Sequence, residues 1–288
     1  MDLVLVILLQ IVTSVAMLAL ISLGLAVIFG MMRVINLAHG EFLMLGAYAA
    51  ILATSRGINL WISMLIVAPV SVAIIGVVVE RLIIRRLYGR MIDTMLATWG
   101  LSLALIGLVT MIFGNTNSGF SAPLGSVAIG GFRVSGYELF LIVFTLALLA
   151  AVYAVIRFTR LGLIARGTMQ NPDMAAALGI DPSKVYAVTF AIGAALSGLA
   201  GALIAPLSGV VPTMGTAYIA KAFITVITGG ASILAGTLSA SGLLGTVNTL
   251  GSFLTTPVLG EVALLAAAIV LLRLLPRGIT GRFLRGSL

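Results

Sequence analysis

Apolar stretches about as long as a bilayer is thick recur along this chain from Leu3 to Leu275, with only short charged breaks between them. A transmembrane helix needs about 20 predominantly apolar residues. In hydrocarbon every backbone N–H and C=O must find its partner inside the segment, so such stretches predict helices. The spans are expected at about 3–30, 40–55, 59–80, 94–113, 137–157, 184–206, 213–228, 232–255 and 258–275. The predicted fold class is all-α: a polytopic transmembrane bundle of about eight to nine membrane segments in one domain, 1–288. Only 8% of the 288 residues are charged, against roughly 25% in a soluble domain. Met1-Asp2-Leu3 lacks the positive n-region of a secretory signal, so the first stretch is expected to persist as the first span.

A formal net charge of +8 would raise the question of nucleic acid in a soluble protein. Here twelve of the sixteen Lys and Arg fall in three clusters: Arg81, Arg85, Arg86 and Arg90; Arg157, Arg160, Arg166 and Lys184; Arg273, Arg277, Arg282 and Arg285. Basic loops stay on the cytoplasmic side, so the clusters set orientation rather than bind a polyanion. The loop 114–136, rich in turn formers, is then external. Cysteine is absent, which removes disulfides and thiolate metal sites.

With that orientation, spans 3–30, 40–55, 59–80 and 94–113 have counterparts at 184–206, 213–228, 232–255 and 258–275, and 137–157 is the joint. Each set has its short segment second, and the two sets start on opposite sides. That is the pattern of an inverted repeat, in which short, Gly-interrupted segments point to a transport site.

Three groups of residues attract attention as a pathway. Asn36, His39 and Glu41 lie within six residues between two apolar stretches. Polar side chains at membrane depth are costly unless they face a cavity or partners; a broken helix on the pathway and an interfacial loop both fit. Asp93 can cap the fourth span, with Thr98 and Trp99 one turn inside. Trp99 suits an interfacial belt or a pathway wall. Thr225, Thr228, Gly229 and Gly230 end the second short segment, where glycines allow a tight turn or close helix packing. Ser197-Gly198-Leu199-Ala200-Gly201 reads as packing. One histidine and no cysteine give too few convergent groups for an intramembrane enzyme or a metal site.

The longest cytoplasmic loop, about 158–183, carries a pattern of helix signals. Asn171 is a cap, Pro172 suits the first helical position, Asp173 complements the positive end, and Gly179 suits a left-handed stop. A helix over 172–178 is predicted, and Asp181-Pro182 then starts the sixth span. Met174, Ala175 and Leu178 share one face at this spacing, and Arg166 and Asp173 flank it. Either the helix packs on its own protein or it docks a cytoplasmic partner.

The run Ile35-Asn36-Leu37-Ala38-His39-Gly40-Glu41-Phe42, the Arg166–Ile180 loop and Leu275-Pro276-Arg277-Gly278-Ile279 resemble the permeases of ABC importers for branched-chain amino acids, urea and amides. The resemblance covers essentially the whole chain in order, and the combination is specific. It implies a multi-pass subunit of the bacterial inner membrane, paired with a second related permease or a copy of itself. It further implies two cytoplasmic ATP-binding subunits, a periplasmic solute-binding protein and no cofactor. The 172–178 helix matches the family's coupling helix, and 36–41 and 225–230 match its pathway-proximal segments. Asp93–Gly100, Met169-Gln170-Asn171 and Met214–Ile219 are closer to the urea and short-amide branch. Pro172-Asp173 and Lys221 depart from that branch. A secondary transporter or channel is the alternative, supported by the inverted repeat but not by the capped helix. No Gly-rich loop ending in Gly-Lys-Ser/Thr occurs, so ATP hydrolysis falls to another chain.

Overall fold

Thirty-one residues with hardly a polar side chain form α1 (Asp2–Met32). The helix stops where Arg33 takes a left-handed conformation, φ 52°, which side chains other than glycine rarely adopt. The chain runs irregularly over 33–38 to α2 (His39–Ser55), so His39, Gly40, Glu41 and Phe42 already belong to the helix. The computed structural model describes residues 2–129, 132–230 and 232–283. Met1, Gly130, Gly131 and Arg285, which fall in segments named above, lie outside them.

A third span, Leu60–Leu82, consists of α3 (Leu60–Ile62), a π turn at Ser63–Val67 and α4 (Ala68–Leu82). After it come α5 (Met91–Phe113), a hairpin of β1 (Ser126–Ile129) and β2 (Phe132–Ser135), and α6 (Gly136–Phe158). On the side assigned to the cytoplasm are α7 (Arg160–Gln170) and α8 (Pro172–Ala177). The chain ends in α9 (Pro182–Ser208), α10 (Met214–Gly229), α11 (Ile233–Leu254), α12 (Pro257–Leu274) and α13 (Gly278–Phe283). Among the described residues seven helices are long and apolar enough to cross a membrane, not eight to nine. The difference lies in α2 and α10, whose 17 and 16 residues fall short of the about 20 a full span needs. The hairpin, antiparallel with Val127 opposite Val134, gives the loop expected outside more order than its turn formers implied.

The described residues form two compact units. One contains Leu23–Phe120 and Ala150–Ala220 and is organised around α9, most of whose length is buried. The small residues of α9 let neighbouring backbones come close. A Cβ on Gly193 would meet Ile28 of α1, one on Gly198 would meet Val72 of α4, and one on Gly201 would collide with the Leu43 carbonyl of α2. Gly46 of α2 is packed equally hard on Gly198. The close-packing reading of 197–201 therefore holds. Ile28, Phe42, Val72, Phe190 and Ala194 form the apolar core at this crossing.

The other unit contains Met1–Ser22, Ser121–Leu149 and Lys221–Leu288. Here α11 and α12 are closely paired, with Gly251 against Gly260, and Gly245 lies against Val15 of α1. Helix α13 folds back so that Thr280 Oγ1 donates to the Gly229 carbonyl at 2.6 Å and accepts from the Ser232 N–H at 3.2 Å.

Candidate functional site

In the α9-centred unit the polar residues around the helix break converge. Asn36 Oδ1 accepts from the Ala38 N–H at 3.0 Å, which shapes the turn entering α2. The Leu37 N–H donates to Thr98 Oγ1 of α5 at 3.0 Å, and that hydroxyl donates back to the Thr94 carbonyl at 2.8 Å. His39 Nδ1 and Ser197 Oγ of α9 are 3.1 Å apart. Glu41 is hydrogen-bonded with Ser102, one helical turn beyond Thr98. Asn36, His39, Glu41 and Thr98 are all buried. Asn36 Nδ2 and Glu41 Oε2 lack a hydrogen-bond partner among the described residues. A buried donor and a buried acceptor left unmatched are expensive, and they mark where a polar solute or water has something to gain. Trp99 is exposed and takes no part in the cluster.

The remaining pathway candidates lie at the end of α10. Thr225 and Thr228 are buried, and their hydroxyls donate to the carbonyls of Lys221 and Ile224, each at 2.7 Å. Gly229 lies against Gly236 of α11. Gly230, at φ +87°, lies against Gly278, itself at +72°. Both positions of this last contact need glycine, for conformation and for space.

The connection between α6 and α9 follows its sequence signals closely. Asn171 Oδ1 accepts from the Met174 N–H at 2.9 Å, Pro172 opens α8, and Gly179 at φ +83° ends it. Asp181 Oδ1 then caps α9 by accepting from the Ser183 and Lys184 N–H groups at 3.0 and 3.4 Å. Met174 is 58% exposed and Leu178 75%, but Ala175 is only 5% exposed. The expected three-residue face is thus corrected to two: Ala175 turns inward, and its carbonyl accepts from the Ile180 N–H at 3.0 Å. Asp173 is exposed, whereas Arg166 is half-buried and its Nε donates to the Gly162 carbonyl at 3.3 Å.

Helix α7 was not foreseen in the 158–171 stretch. Thr159 caps it by accepting from the Gly162 N–H at 3.2 Å. Ser102 and Ser197, which hold Glu41 and His39, were also missed. A serine among glycines carries no sequence mark separating a packing role from a hydrogen-bonding one.

The sequence profile of the family described as "Branched-chain amino acid transport system / permease component" matches residues 7–275. The high-affinity branched-chain amino acid transport system permease proteins LivH of Salmonella typhimurium and LivH of Escherichia coli are each 29% identical, over 92% of this chain and 91% of theirs. BraD of Pseudomonas aeruginosa, of the same description, is 28% identical over the same shares. The solved structure of PsaBC from Streptococcus pneumoniae in complex with Fab covers 92% of this chain and 88% of that chain, at 14% identity and a TM-score of 0.48. With the profile matched across both units and through the capped connection, the chain belongs to the family of branched-chain amino acid transport system permease components.

Proposed function

We propose that this permease carries a branched-chain amino acid across the membrane, driven by ATP-binding subunits that grip α8. As a member of its family the chain is a multi-pass inner-membrane permease subunit and not an enzyme, and ATP hydrolysis belongs to a separate subunit. The observation that carries the coupling role is α8 itself. A six-residue helix fixed by side-chain caps before and after it, with Met174 and Leu178 bare to solvent, has an apolar surface in want of a cover. The inferred partners are two ATP-binding subunits, a related permease or a second copy of this one, a periplasmic solute-binding protein and membrane lipid.

Asn36, His39, Glu41 and Thr98 line one part of the proposed path, and Thr225, Thr228, Gly229 and Gly230 flank another. The unmatched amide and carboxyl atoms at Asn36 and Glu41 support the first assignment. Exposed Trp99 fits the headgroup belt better than the path.

The relatives named above reverse the order of solutes that Asp93–Gly100, Met169-Gln170-Asn171 and Met214–Ile219 suggest. Urea or a short amide is the second reading and rests on those motifs alone. Uptake of radiolabelled leucine by the assembled importer, with urea, acetamide and isoleucine as competitors, separates the two. Competition by isoleucine alone is expected. Competition by urea or acetamide, with isoleucine without effect, would restore the other order.

A further inference from the structure

Lys221 and Glu261 form an ion pair between α10 and α12, Nζ to Oε1 2.5 Å. Among the described residues Lys221 is the one basic residue in the middle turns of an apolar helix; Arg81, Arg157, Lys184 and Arg273 occupy first or last turns. Ionisable residues within apolar membrane helices are rare and mark function more often than stability. With the basic clusters inside, Glu261 lies one turn from the outer end of α12.

Two further observations set this pair apart from an anchor facing lipid. Its side chains are 24% and 56% exposed, so it can be reached from outside the chain. The exposed positions of α10 are Thr216, Ala217 and Ala220, and no large apolar residue between Ile192 and Leu238 is exposed among the described residues. On α12 the exposed residues include Val258, Leu259, Val262, Ile269 and Val270, the kind that meets acyl chains. A helix face of small and hydroxyl side chains leading to a charge suits water and a polar solute.

We propose that Lys221 and Glu261 form the site that receives the two charged ends of an α-amino acid. The solute carboxylate takes the place of Glu261 on the ammonium of Lys221, and the solute ammonium is bound by Glu261. Each charge exchanges one partner for another, so opening the pair leaves no charge unpaired. Urea or acetamide, having no net charges to offer, would leave it closed. This rests on the amino-acid reading above.

The test uses the importer assembled with its ATP-binding subunits, companion permease and binding protein. It follows leucine and acetamide uptake beside subunit assembly and basal ATP hydrolysis. Replacing an ion pair by apolar residues of similar size usually preserves folding, so Lys221→Met with Glu261→Met is the first variant and Glu261→Gln the second. Both are expected to assemble and hydrolyse ATP normally while leucine uptake falls about tenfold or more, the loss of a charge-assisted hydrogen bond. Wild-type leucine uptake by the assembled double variant overturns the site and makes the pair structural. Should the double variant fail to assemble, the same uptake by Glu261→Gln overturns it. A wild-type importer that carries acetamide and not leucine instead overturns the amino-acid reading, and this inference with it.

Discussion

The phenol of Tyr88 donates to Oε1 of Glu80 at 2.5 Å, on a carboxylate that Arg85 also grips through Nε and Nη2, both at 3.2 Å. Glu80 is buried near the C-terminal end of α4, and the Tyr88 ring packs edge-on against Tyr186 of α9 with centroids 4.9 Å apart. Burial first, and then the Glu80 hydrogen bond, push the Tyr88 phenol well above the usual tyrosine range. A group whose pKa rises on folding stabilises the fold fully below its unfolded value, here about 10, and that stability fades as pH climbs beyond it. Tyr88→Phe should therefore lower thermal stability in detergent by about 1–2 kcal/mol at neutral pH. The gap to wild type should narrow above about pH 10. A gap unchanged to pH 11 would mean that the phenol proton plays no part.

Gly201 offers a steric test. Its missing Cβ is the space occupied by the Leu43 carbonyl, which is backbone and cannot step aside. Gly201→Val should destabilise by at least about 1–3 kcal/mol and reduce the amount of folded protein in the membrane. Gly242 of α11 is the control, because a Cβ there meets nothing within 4 Å. Gly242→Ala should be neutral or stabilising by about 0.4–1 kcal/mol, through a less flexible unfolded chain. Equal thermal shifts in the two variants would contradict the packing described.

At α8 the inward turn of Ala175 separates two kinds of variant. Met174→Asp and Leu178→Asp place charge on an exposed apolar surface, so membrane insertion should stay normal while ATP-binding subunits no longer copurify and uptake is lost. Ala175→Glu forces a carboxylate into a packed position and should destabilise the connection itself. Asn171→Ala removes one cap, costs about 1 kcal/mol locally and should weaken coupling without abolishing it. Normal uptake by Met174→Asp and Leu178→Asp would make α8 a structural element only.

Orientation is open to direct measurement because the chain has no cysteine. Asn115 and Gln170 are both exposed. Single cysteines at these positions should react with membrane-impermeant maleimide from opposite faces, Asn115→Cys from outside and Gln170→Cys from the cytoplasm. Labelling from the same face would refute the assignment made from the arginine clusters.

What the sequence discloses follows the range of the forces involved. Span positions were legible because apolarity over twenty residues is a one-dimensional property. The caps at Asn171 and Asp181 were legible because each acts within three residues of itself. Helix α7 was hidden by its own amphipathicity, since Arg160, Arg166 and Gln170 give it the look of a solvated loop. The pairing of His39 with Ser197 joins residues 158 positions apart, and only the folded chain brings them together. The inward turn of Ala175 depends in the same way on what α8 rests against.

The glycine contacts of α9 decide how that helix can move. Held backbone to backbone by α1 at Gly193 and by α2 at Gly198 and Gly201, it has lost the freedom to roll about its axis or slide past its neighbours. Any such step would drive a carbonyl into the next turn. The helix and its immediate neighbours are geared together, so that a push arriving through the Asp181 cap would displace them as one lever. Compliance is left to the joints beyond the gearing, where Gly179 and Gly209, at φ +83° and +68°, hold the left-handed bends at either end of the rod.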